Sequence, residues 1–145
     1  MPLDFDKIFS METKEYIDRL TYRIIGCAIE VHKVLGPGLL ENVYEKCFIH
    51  ELRIKELSVK NQCSIPVHYK EIEVDCDLRF DVLVSDLVIV ELKAVETMHP
   101  IFDAQLLTYM KLLEKPKGIL INFNCNNLFY EGQKTFVNEY YARLL

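Results

Sequence analysis

The sequence predicts an α/β domain in which helices flank a mixed central sheet. Helical periodicity fills the first third of the chain. Strand-like segments then crowd residues 58 to 94. A strand–helix–strand crossover from Leu87 through Phe123 requires a parallel pair after that antiparallel run. A sheet with both kinds of neighbour needs helices over its faces to form a core.

The 145 residues suit one domain, 1–145, with one core. Half the residues are hydrophobic and 27% are charged, an ordinary globular composition. No apolar run approaches a membrane span, and the acidic start Met1-Pro2-Leu3-Asp4-Phe5-Asp6 is unlike a signal peptide, so a cytoplasmic location is expected. The five cysteines are odd in number, scattered and without a C-x-x-C pair, which argues against zinc and against a disulfide framework. Cys27 and Cys47 fall on apolar helix faces and read as small core residues. The formal charge of −5 repels phosphate, so a nucleic-acid partner needs a local basic patch. The nearest candidates are Lys111, Lys115 and Lys117, with a solvated helix end as the plain alternative.

Residues 1–10 have no clear period and read as an N-terminal arm. From about Met11 to Leu35, Ile17, Leu20, Ile24, Ala28, Val31 and Leu35 recur at helical spacing, with Ser10 a plausible N-cap and Gly36-Pro37-Gly38 a firm stop. His32 lies beside this stripe and reads as a half-buried histidine with one hydrogen bond. A second helix runs from just after Gly38 to about Leu57, with Leu40, Val43, Tyr44, Cys47, Phe48 and Leu52 as its buried face. Glu41 sits in its first turn, where the helix dipole favours a carboxylate by roughly 0.3–1 kcal/mol. Tyr44 and Phe48 share its side of the helix, so Glu41 also points along the edge of the buried face.

Ile65 to Tyr69 reads as a short strand, at an edge because of Pro66. Glu71 to Asp75 alternates weakly, whereas Leu78 to Val84 and Leu87 to Leu92 are strong strands. Pro100 fits the first turn of a third helix ending near Leu113, with Phe102, Leu106, Tyr109, Met110 and Leu113 inward and Gln105 beside them. Lys117 to Asn124 is a continuous apolar run, as in a buried parallel strand. Leu128 to Tyr130 is expected as a short edge strand broken by Gly132, and Phe136 to Leu145 as a closing helix.

Phe80 to Lys93 is the most apolar stretch of the chain, and Asp81, Glu91 and Lys93 interrupt it near its ends. Buried charges are expensive unless paired or bound to a metal. Side chains alternate along a strand, so Glu91 and Lys93 share one side. Asp81 joins them only if the preceding turn has the right parity. A two-residue loop at Ser85-Asp86 puts Asp81 opposite Val90. An odd loop such as Ser85 to Leu87 puts it opposite Glu91. The missing glycine favours the odd loop or a bulge. Two carboxylates about 5 Å apart do not both ionise cheaply without a cation. Lys93 supplies one charge, and Mg²⁺ or Mn²⁺ suits carboxylate ligands that lack histidine and cysteine. Glu41 adds a third carboxylate, and Gln105 can hold a water or a phosphate oxygen. An internal salt bridge from Lys93 to Glu91 or Asp81 is the structural alternative.

These residues also resemble a family. Gly38, Glu41 and Tyr44 form a G-x-x-E-x-x-Y signature. Around it stand Ala28-Ile29-Glu30-Val31-His32, Arg79-Phe80-Asp81, Val90-Glu91-Leu92-Lys93, Ala104-Gln105-Leu106-Leu107-Thr108-Tyr109 and Leu120-Ile121-Asn122-Phe123. The ordered set, over about Leu20 to Val137, resembles the GxxExxY proteins of the PD-(D/E)xK nuclease-like superfamily. The resemblance implies a restriction-endonuclease-like core and a Mg²⁺- or Mn²⁺-dependent nuclease or phosphodiesterase acting on DNA or RNA. It implies Asp81 and Glu91 as metal ligands, Lys93 as the catalytic lysine and Glu41 as the acid from the leading helix. Gln105 and Tyr109 would support the site, with Tyr44 and His32 beside them. Phe80 stands where the superfamily name has proline, and Gly132-Gln133-Lys134-Thr135 diverges from a basic segment. A non-catalytic binding module on the same fold, and a homodimer through apolar helix faces, are the competing expectations.

Overall fold

A computed structural model describes residues 13–145. The expected arm and the Ser10 cap lie outside the described residues. Helix α1, Lys14–Leu35, is capped by Thr13, whose hydroxyl accepts the Tyr16 N–H at 3.1 Å. Its predicted stripe is buried from Ile17 through Val31, and Gly36 ends it at φ +69°. Helix α2, Glu41–Ile54, is shorter than expected at both ends. Its buried side is Tyr44, Phe48, Ile49 and Leu52. Leu40 and Val43 face solvent, because Leu40 is the N-cap position and Val43 falls outside that stripe.

Five strands form the sheet in the order β1-β4-β5-β6-β7. They are β1 Val59–Ser64, β4 Arg79–Val84, β5 Val88–Lys93, β6 Lys117–Asn122 and β7 Gln133–Val137. Only β5 and β6 run parallel, through helix α3, Pro100–Leu113, whose span is as predicted. Strands β2, Val67–Tyr69, and β3, Ile72–Val74, make a separate hairpin. Helices α1 and α2 cover one face through Val82, Val84, Val88, Val90, Leu92, Ile119 and Ile121. Helix α3 covers the other through Leu83, Ile89 and Leu120. Each apolar side chain so enclosed stabilises the fold by about 1.5–3 kcal/mol.

Three expected elements differ. Strand β1 is polar and largely exposed, so it carries no hydrophobic pattern, and Pro66 falls between β1 and β2 instead of inside an Ile65–Tyr69 strand. Leu128–Glu131 is a helical turn, α4, instead of an edge strand, because the Asn127 side chain accepts the Tyr130 N–H at 3.1 Å. The edge strand follows as β7, and it takes Phe136 and Val137 from the expected closing helix. That helix shrinks to the single turn α5, Glu139–Ala142, capped by Asn138. Among the described residues no helix is long and apolar enough to cross a membrane.

Candidate active site

The site starts at the β4–β5 turn. Ser85 and Asp86 both have left-handed φ, +52° and +57°, and the Leu87 N–H donates to the Val84 C=O at 3.0 Å. This has the hydrogen bond and dihedral signs of a type I′ turn, built without glycine. The ladder resumes with Val84 opposite Val88, so Leu87 is an extra residue and the loop is odd. The pairs Leu83–Ile89 and Val82–Val90 follow, and the next step brings Asp81 opposite Glu91. The odd-loop alternative is therefore the one the chain adopts.

At that step side chains replace the ladder. The Asp81 N–H donates to Glu91 Oε1 at 3.0 Å, and the Leu92 N–H donates to Asp81 Oδ2 at 2.9 Å. Each carboxyl group thus holds the backbone of the other's strand. Glu91 is 8% exposed. Burial, and next the charge of Asp81, push its pKa from the usual 4.5 to about 9. At neutral pH Glu91 is therefore protonated beside Asp81.

Lys93 follows Glu91 on the α3 side of the sheet and is half-buried. Its Nζ lies 4.4 Å from the centroid of the Phe102 ring. Among the described residues no ion pair joins Lys93 to Asp81 or Glu91, so the salt-bridge alternative is not what the structure adopts. The end of β5 is fixed by two contacts. The Phe123 N–H donates to the Lys93 C=O at 2.9 Å. The buried Asn122 side chain also bonds both the N–H and the C=O of Val95, at 3.0 and 2.9 Å.

Glu41 opens α2. Its pKa is raised by partial burial and lowered by the charge of Lys93, with Asp81 and Glu45 raising it again, which places its carboxylate in the field of the site. Glu45, one turn later, is tied in directly. Gln62 on β1 donates from Nε2 to Glu45 Oε1 at 2.6 Å and to Asp81 Oδ1 at 3.2 Å. Sequence reasoning missed Glu45 and Gln62. The spacing of four from Glu41 marks Glu45 as sharing its helix side. Nothing in a polar segment such as β1 marks Gln62.

Tyr44 acts on the backbone leading to Glu41. Its hydroxyl donates to the Gly36 C=O and accepts the Leu39 N–H at 3.1 Å, while its ring stacks on Phe123 with centroids 4.4 Å apart. The G-x-x-E-x-x-Y spacing is thus a loop clamp. Gly38 takes φ +102°, and Tyr44 pins the loop that delivers Glu41. His32 is half-buried as expected; its Nε2 donates to the Cys125 C=O at 2.8 Å and also lies 3.8 Å from the Cys125 Sγ. Tyr109 of α3 is close enough to the acids that burial first, then Glu91 and Asp81, raise its pKa. Gln105 is exposed one turn before Tyr109.

The structure therefore brings together Asp81, Glu91 and Lys93, with Glu41, Glu45 and Tyr109 around them. Among the described residues no group of three or more His, Cys, Asp or Glu side chains is arranged to hold a metal ion. Asp81 and Glu91 alone offer paired carboxylate oxygens, a donor set suited to a hard divalent cation, and a cation there would offset the burial that keeps Glu91 protonated. Of the three candidate lysines for a phosphate partner, Lys111 is exposed on α3, whereas the other two are engaged within the fold. Lys117 is 8% exposed, lies 5.4 Å from the Tyr141 ring centroid and has its pKa lowered by burial. Lys115 pairs with Asp86 at 3.1 Å. Lys134 pairs with Asp103.

A family model described as the PD-(D/E)XK nuclease superfamily matches residues 18–135. No curated protein and no solved structure matches the chain. The matched span contains Glu41, Asp81, Glu91, Lys93 and Tyr109, and the observed mixed sheet flanked by helices agrees with the fold of that superfamily. The chain belongs to the PD-(D/E)XK nuclease superfamily.

Proposed function

We propose that the protein is a metal-dependent nuclease, cleaving phosphodiester bonds of DNA or RNA at Asp81, Glu91 and Lys93 with Mg²⁺ or Mn²⁺. The supporting observation is the Asp81–Glu91 pair, with Glu91 buried and the two coupled through backbone N–H groups, beside a lysine that forms no ion pair among the described residues. A divalent ion at the pair would supply Lewis-acid polarisation of a phosphoryl oxygen. The chain's own residues divide the remaining work. Asp81 and Glu91 would hold the cation, with Glu41 bringing a further carboxylate from α2. Lys93 presents its ammonium to charge developing on phosphorus. Gln105, exposed on α3, is placed to hydrogen-bond a water or a phosphate oxygen, and Tyr109 borders the acids. The G-x-x-E-x-x-Y clamp of Gly38, Glu41 and Tyr44 supports placement among the GxxExxY proteins.

The test is cleavage of several DNA and RNA substrates by purified protein with Mg²⁺ or Mn²⁺. Lys93→Ala is expected to lower the rate about 10²-fold or more without loss of folding. Equal rates for wild type and variant on every substrate would remove the proposal.

A second reading, a non-catalytic binding module, is favoured by one observation. Of the candidate lysines, Lys115 is paired with Asp86 and Lys117 is buried, which leaves Lys111 exposed, and no three-ligand metal group stands among the described residues. Titration calorimetry separates the two. Tight Mn²⁺ binding that Asp81→Asn abolishes supports the nuclease, and no binding in the wild type supports the module.

A further inference from the structure

Gln62 lies opposite Asp81 on β1, between the paired residues Asn61–Val82 and Cys63–Phe80. Its backbone is left-handed, φ +50°, inside a strand. A non-glycine residue adopts that conformation at a penalty of roughly 1–2 kcal/mol, and β1 continues through it. What accompanies the strained backbone is a side-chain bridge. One amide nitrogen gives a hydrogen to the Asp81 carboxylate of the sheet and one to the Glu45 carboxylate of α2. A neutral NH₂ group joins two anions here without neutralising either. It fixes their separation and leaves their charge available to a cation.

Resting on the nuclease reading, we propose that Gln62 is a positioning residue for the metal site. It orients Asp81 from outside the β4–β5 pair, and it brings Glu45 into the site as an acid of α2 in addition to Glu41. Three features agree with this. Asp81 has one oxygen on the Leu92 N–H and the other on Gln62, so its carboxylate plane is held from both sides. Glu45 is half-buried, and its pKa is raised by burial, lowered by the Gln62 bond and raised again by Asp81. The bridge also spans two elements that no backbone hydrogen bond connects, so it sets the spacing between α2 and the site.

The test compares Gln62→Gly and Gln62→Leu with wild type by Mn²⁺ titration calorimetry and by thermal unfolding. Glycine relieves the left-handed backbone while deleting the bridge, and leucine deletes the bridge alone. A positioning role predicts that Mn²⁺ affinity falls about tenfold or more in both variants, as for outer partners of metal ligands. It also predicts that Gln62→Gly melts at or above the wild-type temperature. Unchanged Mn²⁺ affinity in both variants, with a lowered melting temperature in each, makes Gln62 a structural hydrogen bond and overturns the inference. Absence of Mn²⁺ binding in the wild type overturns the nuclease reading and the inference with it, so the two failures are told apart by which protein fails to bind.

Discussion

Glu91 concentrates the energetics of the site in one carboxyl group. Its pKa, raised to about 9, means that the folded protein holds a proton there that the unfolded chain releases above 4.5. Between these values the native state binds more protons than the unfolded state, so stability falls as pH rises. The contribution is fully present below 4.5 and is lost as pH passes 9. The melting temperature of the cation-free protein is therefore expected to decline from pH 5 to pH 9. Glu91→Gln, which copies the shape of the protonated acid, should flatten the decline and raise the melting temperature at pH 8. A chain of this length moves by about 3 °C per kcal/mol. A wild-type profile as flat as that of the variant would show that Glu91 titrates normally. Lys93 shows the complementary choice. Its ammonium lies over the Phe102 ring, a contact worth about 0.5–2 kcal/mol that holds a cation without neutralising it.

The β4–β5 turn decides at the scale of elements whether these residues form a site. One extra residue, Leu87, sets the parity that puts Asp81 opposite Glu91. The odd parity came out as expected but not for the expected reason. Ser85 and Asp86 take the left-handed turn without glycine, and it is the extra Leu87 that sets the register. Strand β5 was legible from its apolar run Val88 to Val90. Helix α3 was legible from Pro100 and its periodicity. The partners of Asp81 on β1 were not. Lys60, Asn61 and Gln62 are polar and exposed, so nothing in them signals a strand, and Gln62 could not be placed opposite Asp81. The α4 turn escaped for a related reason, since a single Asn127 cap decides it. The turn yields its own prediction. Ser85→Gly replaces a left-handed serine at φ +52° and retains the N–H that donates to the Ser58 C=O. It should raise stability by up to about 1 kcal/mol in chemical denaturation and leave cleavage unchanged, because Leu87 still fixes the register. Lost stability would mean that the serine side chain, rather than the backbone, supports the turn.

Across the whole molecule, the sheet places the acid pair where β4 and β5 stop exchanging backbone hydrogen bonds. Helix α3 covers the pair on one side, and the start of α2 brings Glu41 and Glu45 to its edge. The fold thus builds a low-dielectric floor under two carboxyl groups and leaves Lys93 half-buried beside them. Structural burial alone would have been met by apolar residues, as at Val82 and Val90 one step away. On the nuclease reading, a divalent cation at the pair would relieve the burial of Glu91. The direct measurement is the titration of the Glu91 carboxyl carbon by ¹³C NMR, without and with saturating Mg²⁺. A midpoint near 9 that falls toward the ordinary carboxylate range on adding Mg²⁺ is the expected result. A midpoint near 4.5 without Mg²⁺, or one near 9 that Mg²⁺ does not move, would contradict it.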